Sequence, residues 1–304
     1  MNSKAPIVSI VIPTYNAPSL LEETLQSVFA QTLTDFEILV IDDGSTDSTP
    51  EFLRRLDDPR LRVIRQENRG IGGARNRGLD EATGSYVALL DHDDLWLPKK
   101  LEVQVEFMES HPQCAGVVVP FAQSSHPDVA VVDPRSLVGS DGVVHRPFRK
   151  LAAGQTFLLT SALMIRRSSA AGAYYGLVRG AIEDVPFHIQ LLNRGSIGMA
   201  GDQVLAIHRD HGSNVSRQAS YYYLGQIELR RMDTMGTFAA SHKSDTSDIR
   251  EYLAALGRAS IMRQAVSGRR AKALCLYMHE FPHQLRLGRF RFLVGFPFRW
   301  LLGR

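Results

Sequence analysis

The sequence feature that most constrains the fold is a regular alternation of β-branched strands with helical segments. Residues 7–12 are Ile-Val-Ser-Ile-Val-Ile, a run typical of a strand that is buried on both faces of a parallel sheet. Further strands are predicted at 36–41, 61–65 and 86–90. One helix is predicted after residues Ser19 and Glu22, which form a capping box. Further helices are predicted at 48–56 and at 74–82, the latter after a flexible glycine loop at 70–73. This alternation predicts an α/β fold with a doubly wound, mainly parallel sheet.

The pattern becomes less regular after residue 97. Helices are predicted at 98–110 and from about 183 to 193, with strands at 115–119, 158–165 and 203–208. The stretch 123–155 contains scattered Pro, Gly and His and predicts no regular element. Beyond residue 217 the composition turns helical and basic. We therefore expect one α/β domain over 1–216 and a helical, basic C-terminal region over 217–304.

The charge balance and the cysteines exclude several classes of function. The 304 residues include 35 Lys and Arg against 32 Asp and Glu, a net charge of only +3, so we expect no nucleic acid as partner. Cys114 and Cys275 lie far apart and lack the spacing of a zinc or redox site. The sequence shows no secretory signal and no apolar run near the ~18 residues of a membrane-spanning helix. We therefore expect a cytoplasmic protein.

Polar side chains cluster where the predicted strands end. The first strand ends at Pro13-Thr14-Tyr15-Asn16, the second at Asp42-Asp43 and the fourth at Asp91-His92-Asp93. Ligands of an open α/β sheet bind outside the carboxyl ends of its strands. An aromatic ring and several carboxylates at that edge would supply a stacking surface, a hydrogen-bond acceptor and a site for a hard metal. These groups are what a base, a ribose and a metal-bound diphosphate require.

Four motifs follow one another along the chain: VSIVIPTYN at 8–16, VIDDGSTD at 40–47, GGARN at 72–76 and LDHDD at 90–94. In this order they resemble the family 2 glycosyltransferases of the GT-A fold. The similarity continues more weakly through Glu183-Asp184 and 208–216, and covers about residues 6–216, or two thirds of the chain. It implies a catalytic domain that transfers a sugar, with inversion, from a nucleotide diphosphate sugar to an acceptor hydroxyl.

The resemblance implies a donor site at the strand ends. Tyr15 would stack near the nucleotide base, which the Pro13 backbone would help to hold. Asp43 would accept a hydrogen bond from the base, which favours a UDP or dTDP sugar because uracil and thymine carry a ring N–H. Arg75 would face the nucleotide or its diphosphate as a charged donor. His92 would face the donor without binding metal.

The resemblance further implies a divalent cation, Mn²⁺ or Mg²⁺. Asp93 would bind this ion, with Asp91 nearer the ribose or a metal-bound water. A histidine is found in relatives at the position of His211, where it can approach the metal or the diphosphate. The alternative is that His211 is a solvated loop residue.

A general base for the acceptor hydroxyl is implied at the acidic pair Glu183-Asp184, and we expect Asp184 to be that base. The alternative is that both acids only complement the N-terminus of a helix. Val185-Pro186 replace an aromatic residue and a second acid found in many relatives, which leaves the acceptor contacts open.

Each candidate residue also has a simpler structural role. The residues Asp42 to Ser45 could simply form a turn, for which their sequence is ordinary. Tyr15 could belong to the core, and Arg75 could be a solvated helix residue. The acids Asp91 to Asp94 could cap the next helix. One nucleotide and metal site explains all of these residues together, whereas the structural roles must explain them separately.

Two other functions fit the sequence less well. A nicotinamide-dependent dehydrogenase is disfavoured because the segment 70–75 lacks the third glycine of its G-x-G-x-x-G motif. A sugar-nucleotide-binding protein without catalysis is the alternative, and the presence of Asp91, Asp93 and Asp184 argues against it.

The tail, residues 285–304, contains five arginines and no acid, together with Phe290, Phe292, Phe296, Phe298 and Trp300. A basic segment interleaved with aromatic residues suits a peripheral contact on the inner face of a membrane, and the acceptor would then be a lipid-linked saccharide rather than a free one. An amphipathic helix packed on the rest of the chain or in a homo-oligomer is the alternative.

Overall fold

A computed structural model describes residues 5–124, 130–132, 137–155, 158–177, 182–211, 219–239 and 243–301. Its strands are β1 (Val8–Thr14), β2 (Phe36–Asp42), β3 (Leu61–Arg65), β4 (Tyr86–Leu89), β5 (Leu95–Trp96), β6 (Cys114–Val118), β7 (Phe121–Gln123), β8 (Ala130–Val132), β9 (Leu163–Arg166), β10 (Ser196–Met199) and β11 (Ala206–His208). Its helices are α1 (Pro18–Phe29), α2 (Thr49–Arg54), α3 (Gly70–Glu81), α4 (Lys100–Ser110), α5 (Pro147–Ala152), α6 (Arg167–Ala170), α7 (Val185–Leu192), α8 (Ala219–Thr234), α9 (Lys243–Val266), α10 (Arg270–Arg286) and α11 (Phe290–Leu301).

A seven-stranded sheet in the order β10-β6-β9-β4-β1-β2-β3 confirms the predicted α/β fold. Strand β1 is parallel to both β2 and β4, β2 is parallel to β3, and β6 is parallel to β10. Strand β9 runs antiparallel to β4 and β6. All of β1 is buried, as its β-branched run predicts. A second sheet has the order β5-β11-β7-β8.

The three strand ends that carry the polar motifs are neighbours. Because β1 lies between β2 and β4, its carboxyl end adjoins theirs, and Thr14 is paired with Asp42 across the β1–β2 ladder. The segment after β4 carries Asp91, His92 and Asp93. The fold therefore gathers these residues at one edge of the sheet.

Helix α1 begins earlier than the predicted capping box requires, so that prediction is wrong. Pro18 occupies its first turn and Ala17 is the residue before it, so Ser19 lies inside the helix. Proline suits this position because its missing N–H would have no partner there and its φ is already helical. The Ala17 N–H instead donates to the Thr49 hydroxyl at 3.1 Å.

The glycines at 70–73 form the first turn of α3 rather than the predicted flexible loop. The Asp43 carboxylate accepts hydrogen bonds from the backbone N–H groups of Arg69 and Gly70, each at 2.8 Å, and so satisfies donors that a helix start leaves open. The stretch 123–155, for which the sequence predicts no element, contains the end of β7 together with β8 and α5.

The chain divides into two compact units. The larger comprises Met1–His145, Thr156–Leu177 and Asp184–Gly212, as far as these residues are described, and contains both sheets. The smaller comprises Arg146–Gln155, Val178–Glu183 and Ser213–Arg304 to the same extent, and helices α8 to α11 form most of it. The predicted domain boundary at residue 216 lies outside the described residues. Among the described helices, none is both long and apolar enough to cross a bilayer.

Candidate active site

The loops that follow β1 and β2 are tied together by side chains of their own motifs. The Asn16 side chain donates to the Thr46 hydroxyl at 3.3 Å and accepts from the Thr46 N–H at 2.8 Å. The Asn16 N–H donates to the Ser45 hydroxyl at 3.0 Å. Asn16 has a φ of 50°, which asparagine tolerates better than most residues. Tyr15 precedes Asn16 and has 44% of its surface exposed, so its ring is available for stacking rather than part of the core.

Asp43 is almost fully buried, and its carboxylate is held from several sides. Its Oδ1 accepts from the Gln66 side chain and the Arg69 N–H, and its Oδ2 accepts from the Gly70 N–H, all at 2.8 Å. The residue is therefore a fixed acceptor that also joins β2 to the start of α3. Its predicted hydrogen bond with a nucleotide base stays a prediction.

Arg75 is buried and paired with the first acid of the LDHDD motif. Its Nη2 donates to Asp91 Oδ1 at 2.6 Å, and its guanidinium lies 5.1 Å from the centre of the Tyr175 ring. Tyr175 in turn stacks on Phe187, with ring centroids 4.4 Å apart. Arg75 is thus not the solvated helix residue of the simpler alternative, because an acid and an aromatic ring fix its position.

Asn76 fixes the segment that carries the Tyr175 ring. Its side chain donates to the Tyr175 carbonyl at 3.1 Å and accepts from the Tyr175 N–H at 2.7 Å. Tyr175 has no role predicted from the sequence, because nothing local links it to Asn76, which lies 99 positions away.

His211 faces the carboxylate of Asp93, with Nε2 2.8 Å from Oδ2. Burial raises the pKa of Asp93, but the nearby His92 and His211 imidazoles outweigh it and hold that pKa below its usual value. Asp93 is therefore a carboxylate at neutral pH. The structure places His211 beside Asp93, the residue predicted to bind the metal, and the metal roles of both stay predictions.

His92 contacts the end of the first strand. Its Nδ1 lies 3.2 Å from the Pro13 carbonyl oxygen, and its own carbonyl accepts from the Thr24 hydroxyl at 2.8 Å. The Pro13 backbone and His92 are therefore neighbours at the strand edge, and their contacts with a donor stay predictions.

Asp94, for which the sequence suggested only helix capping, is completely buried. It accepts from the Ser161 hydroxyl at 2.5 Å and from both the His208 ring and the Arg209 N–H at 3.0 Å. The hydrogen bond to Asp94 raises the pKa of His208 to about 9. Asp94 therefore holds the end of β11 against the motif, and the Arg209 side chain also donates to the Asp93 carbonyl.

The acids after β4 fit a hard divalent cation. Asp91, Asp93 and Asp94 each offer an oxygen, and these oxygens lie within 4.8 Å of one another. Carboxylate oxygens are preferred ligands of Mg²⁺ and Mn²⁺. Because the Asp94 oxygens are already occupied by protein donors, Asp91 and Asp93 are the acids that would hold the ion.

Asp184 lies directly before α7, with about a third of its side chain exposed. His188, one helical turn later, is buried with its Nδ1 3.9 Å from Asp184 Oδ2. Burial lowers the pKa of His188, so its ring is neutral at neutral pH. The charges of Asp184 and Arg75 both act on this ring. His188 was not predicted from the sequence, although its spacing of four residues from Asp184 was the available signal.

The sequence is similar to known glycosyltransferases. The profile of the family described as Glycosyl transferase family 2 matches residues 9–170, more than half of the chain. TuaG of Bacillus subtilis (strain 168), named as a teichuronic acid biosynthesis glycosyltransferase, is 32% identical over 223 residues, which cover 71% of this chain and 84% of that protein. WfgD of Escherichia coli, a UDP-Glc:alpha-D-GlcNAc-diphosphoundecaprenol beta-1,3-glucosyltransferase, is 40% identical over 103 residues, 34% of this chain and 41% of that protein.

Solved structures show the same fold at low sequence identity. Residues 1–349 of TarS from S. aureus, in complex with UDP-GlcNAc, have a TM-score of 0.60 at 18% identity and cover 92% of both chains. The mannosyltransferase PcManGT from Pyrobaculum calidifontis, in complex with GDP-Man and Mn²⁺, has a TM-score of 0.56 at 18% identity and covers 98% of this chain and 88% of that one.

Proposed function

The chain belongs to glycosyl transferase family 2 and is a glycosyltransferase, and from this premise we propose that its donor is a UDP-sugar or a dTDP-sugar. The enzyme transfers the sugar to an acceptor hydroxyl with inversion at the anomeric carbon. The observation that carries the proposal is the cluster at the carboxyl end of β4. There, Arg75 contacts Asp91 and His211 contacts Asp93 beside the ends of β1 and β2.

The donor occupies the strand edge in this proposal. The Tyr15 ring stacks on the base, and Asp43 accepts the ring N–H that uracil and thymine share. Both residues are suited to these roles, since Tyr15 is exposed and the Asp43 carboxylate is held in place by backbone donors. Arg75, anchored by Asp91, donates to the nucleotide or its diphosphate.

The chemistry is a direct displacement. The acceptor oxygen forms a bond to the anomeric carbon while the bond from that carbon to the diphosphate oxygen breaks, and the hydroxyl proton passes to the Asp184 carboxylate. Asp91 and Asp93 would hold a divalent cation, and its positive charge would stabilise the leaving nucleoside diphosphate. Asp184 suits the role of base because its side chain is partly exposed while the ring beside it is buried and neutral.

The acceptor is proposed to be a saccharide of a surface polysaccharide or glycolipid. TuaG is named for teichuronic acid biosynthesis, and WfgD acts on a sugar linked through diphosphate to undecaprenol. A lipid-linked saccharide is accordingly the first acceptor class to test with this chain.

The metal and the nucleotide are tested together by calorimetric binding. We expect UDP or dTDP to bind more tightly than GDP, and binding to require Mn²⁺ or Mg²⁺ and to vanish with chelator, since Asp91 and Asp93 present hard oxygen ligands. Asp93→Ala should abolish metal-dependent binding. Asp202→Ala, which removes an exposed carboxylate elsewhere in the same unit, is the matched control and should bind like the wild type.

Donor hydrolysis and transfer separate the enzyme from a binding protein that lacks catalysis. The proposal expects slow hydrolysis of the bound donor without acceptor and transfer with it. Full turnover in EDTA would refute the metal assignment. Tight donor binding without hydrolysis or transfer to any acceptor would favour the binding protein instead.

A further inference from the structure

Helix α10 exposes an apolar face to solvent. Leu274, Met278, Phe281 and Leu285 recur every three or four residues and therefore lie on one side of the helix, between 37% and 62% exposed. From Leu274 to Leu285 this row is about 16 Å long at the helical rise of 1.5 Å per residue. Beside this row the helix also exposes Ala271, Cys275 and Pro282. The exposed polar residues of the same stretch, Lys272 and His279, lie further round the helix. Monomeric proteins rarely leave such a surface uncovered.

Helix α11 packs against the opposite, buried side of α10 through part of the aromatic tail. Tyr277 stacks on Phe296 with centroids 5.0 Å apart, and its hydroxyl donates to the Leu293 carbonyl at 2.6 Å. The side chains of Phe298 and Trp300 lie outside the described ones. Phe290 and Val294 of α11 remain exposed. Packing therefore accounts for Phe296. The apolar row of α10, which is mostly outside the predicted tail, stays 37–62% exposed, although the Phe281 ring meets the Tyr277 ring edge-on with centroids 6.0 Å apart.

The segment that carries this face is basic in sequence, and one of its arginines, Arg289, is paired with Glu251 of α9. Residues 269–304 contain eight Lys and Arg residues and a single acid, Glu280, although the net charge of the whole chain is only +3. Glu280 is buried and paired with Arg230, so it presents no negative charge to solvent. Arg270 and Arg286 are exposed at the two ends of α10. An apolar face with a basic border is the pattern of a helix that lies in the interface of an anionic membrane.

We propose that the outer face of α10, together with the exposed residues of α11, binds peripherally to a bilayer that contains anionic phospholipid. A second copy of the chain fits this face less well. A two-fold contact would place the same patch of each copy against the other. Arg270 and Arg286 of one copy would then lie close to the arginines of the second copy and repel them. Anionic headgroups would instead neutralise these charges while the apolar row enters the acyl boundary. The proposal does not depend on the sugar donor.

Flotation of the full chain with vesicles, without donor, tests the proposal. We expect binding to phosphatidylcholine vesicles that contain about one third phosphatidylglycerol, and little binding to pure phosphatidylcholine. The triple variant Leu274→Gln, Met278→Gln, Phe281→Gln should lose at least about tenfold in partitioning, since it removes apolar side chains that would enter the interface. The double variant Arg270→Gln, Arg286→Gln should lose roughly fivefold for each charge removed.

The matched control is the double variant Leu224→Gln, Met235→Gln, which removes two other exposed apolar side chains of the same unit and should float like the wild type. All the substituted positions are exposed, so circular dichroism should show folded variants. Deletion of 285–304 is a poorer test, because it removes Leu293 and Phe296 from a buried cluster.

Three results would overturn the proposal. They are no flotation of the wild type, equal flotation of the wild type and the triple variant, and equal binding to neutral and anionic vesicles. A dimer seen by sedimentation velocity that the triple variant abolishes, without any vesicle binding, would assign the face to a second copy.

Discussion

Asp93 and Asp94 are neighbours in the chain but have opposite environments. Asp94 is fully buried, and the Ser161 hydroxyl, the His208 ring and the Arg209 N–H all donate to it. A buried carboxylate needs such partners, because an unpaired one would lose its hydration without compensation. Asp93 keeps part of its side chain exposed and faces His211. The two acids can therefore divide their roles, Asp94 positioning the turn and Asp93 remaining available to a cation.

Asp184 is the residue whose substitution should separate catalysis from donor binding. A general base acts on the acceptor hydroxyl in the transition state and contributes little to holding the donor. We expect Asp184→Asn to lower kcat by about 10²–10⁴-fold, because asparagine keeps the shape of the side chain but accepts no proton. Donor affinity, measured by calorimetry, should stay near the wild-type value.

Glu183→Gln is the matched control for this prediction. It removes the adjacent carboxylate, to which we assign orientation or helix-end electrostatics, and should have the milder effect on transfer. A near wild-type transfer rate in Asp184→Asn, or loss of activity in Glu183→Gln instead, would contradict the choice of base. Loss of donor affinity in Asp184→Asn would place that carboxylate on the donor side.

Helix α3 approaches its neighbours closely because of its glycines. A Cβ added at Gly72 would lie 2.1 Å from the Gly176 carbonyl oxygen, and one added at Gly78 would lie 2.1 Å from Val11 Cγ1. The short distance at Gly72 lets the Tyr175 backbone reach the Asn76 side chain. The helix can therefore carry Arg75 at a fixed distance from both Asp91 and the Tyr175 ring.

Gly72→Ala tests this close packing. The added methyl meets a backbone atom that cannot turn aside, so we expect the free energy of unfolding to fall by about 1–3 kcal/mol. Donor affinity should fall as well, because the displaced segment carries the ring beneath Arg75. Urea unfolding and calorimetry with the donor measure the two effects.

Gly295→Ala in α11 provides the control, because a Cβ there meets nothing within 4 Å among the described residues. Alanine at that position should leave stability unchanged or raise it by up to about 1 kcal/mol. If Gly72→Ala proved as harmless as Gly295→Ala, the close approach of α3 would not matter to the site.

At the scale of the whole molecule, each compact unit has its own buried polar centre, and that of the smaller unit is Glu280. Its carboxylate accepts from Arg230 at 2.7 and 2.8 Å and from the Gln226 side chain at 2.9 Å. Gly257 of α9 leaves room for it, since a Cβ there would lie 2.5 Å from Glu280 Oε2. Helices α8, α9 and α10 therefore meet around one ion pair.

Glu280→Gln should make the stability of the chain less dependent on pH at the acid end. Burial raises the pKa of Glu280, but the Arg230 ion pair and the Gln226 hydrogen bond hold it below its usual value. The pair therefore stabilises the fold above the unfolded-state pKa of about 4.3 and stops doing so as pH falls through the lower folded-state pKa. We expect the variant to lose about 3 kcal/mol in urea unfolding at neutral pH, and the difference to shrink below about pH 4.

Glu228→Gln removes a more exposed partner, that of Arg231 on the same helix, and should change the unfolding free energy by less than about 1 kcal/mol. Equal losses in the two variants, or a Glu280→Gln deficit that persists in acid, would show that the buried pair contributes little.

The sequence by itself determined the strands of the parallel core, the order of the motifs and their place at strand ends. These features depend on short-range signals: β-branched runs over five to seven residues predict strands, and polar residues directly after them mark the edge where ligands bind. Strand β1 and strand β3 accordingly lie where their local patterns predict, as do Tyr15, Asp43 and Asp93.

Only the tertiary structure decided which distant residues complete the site. Asp94 meets His208 across 114 positions, and Asn76 meets Tyr175 across 99. The antiparallel strand β9 enters the sheet between β4 and β6, and the Gln104 side chain donates to the Ala162 carbonyl at 2.9 Å across 58 positions. No local pattern encodes such pairs, because their free energy comes from burial and hydrogen bonding that exist only once the sheet has assembled.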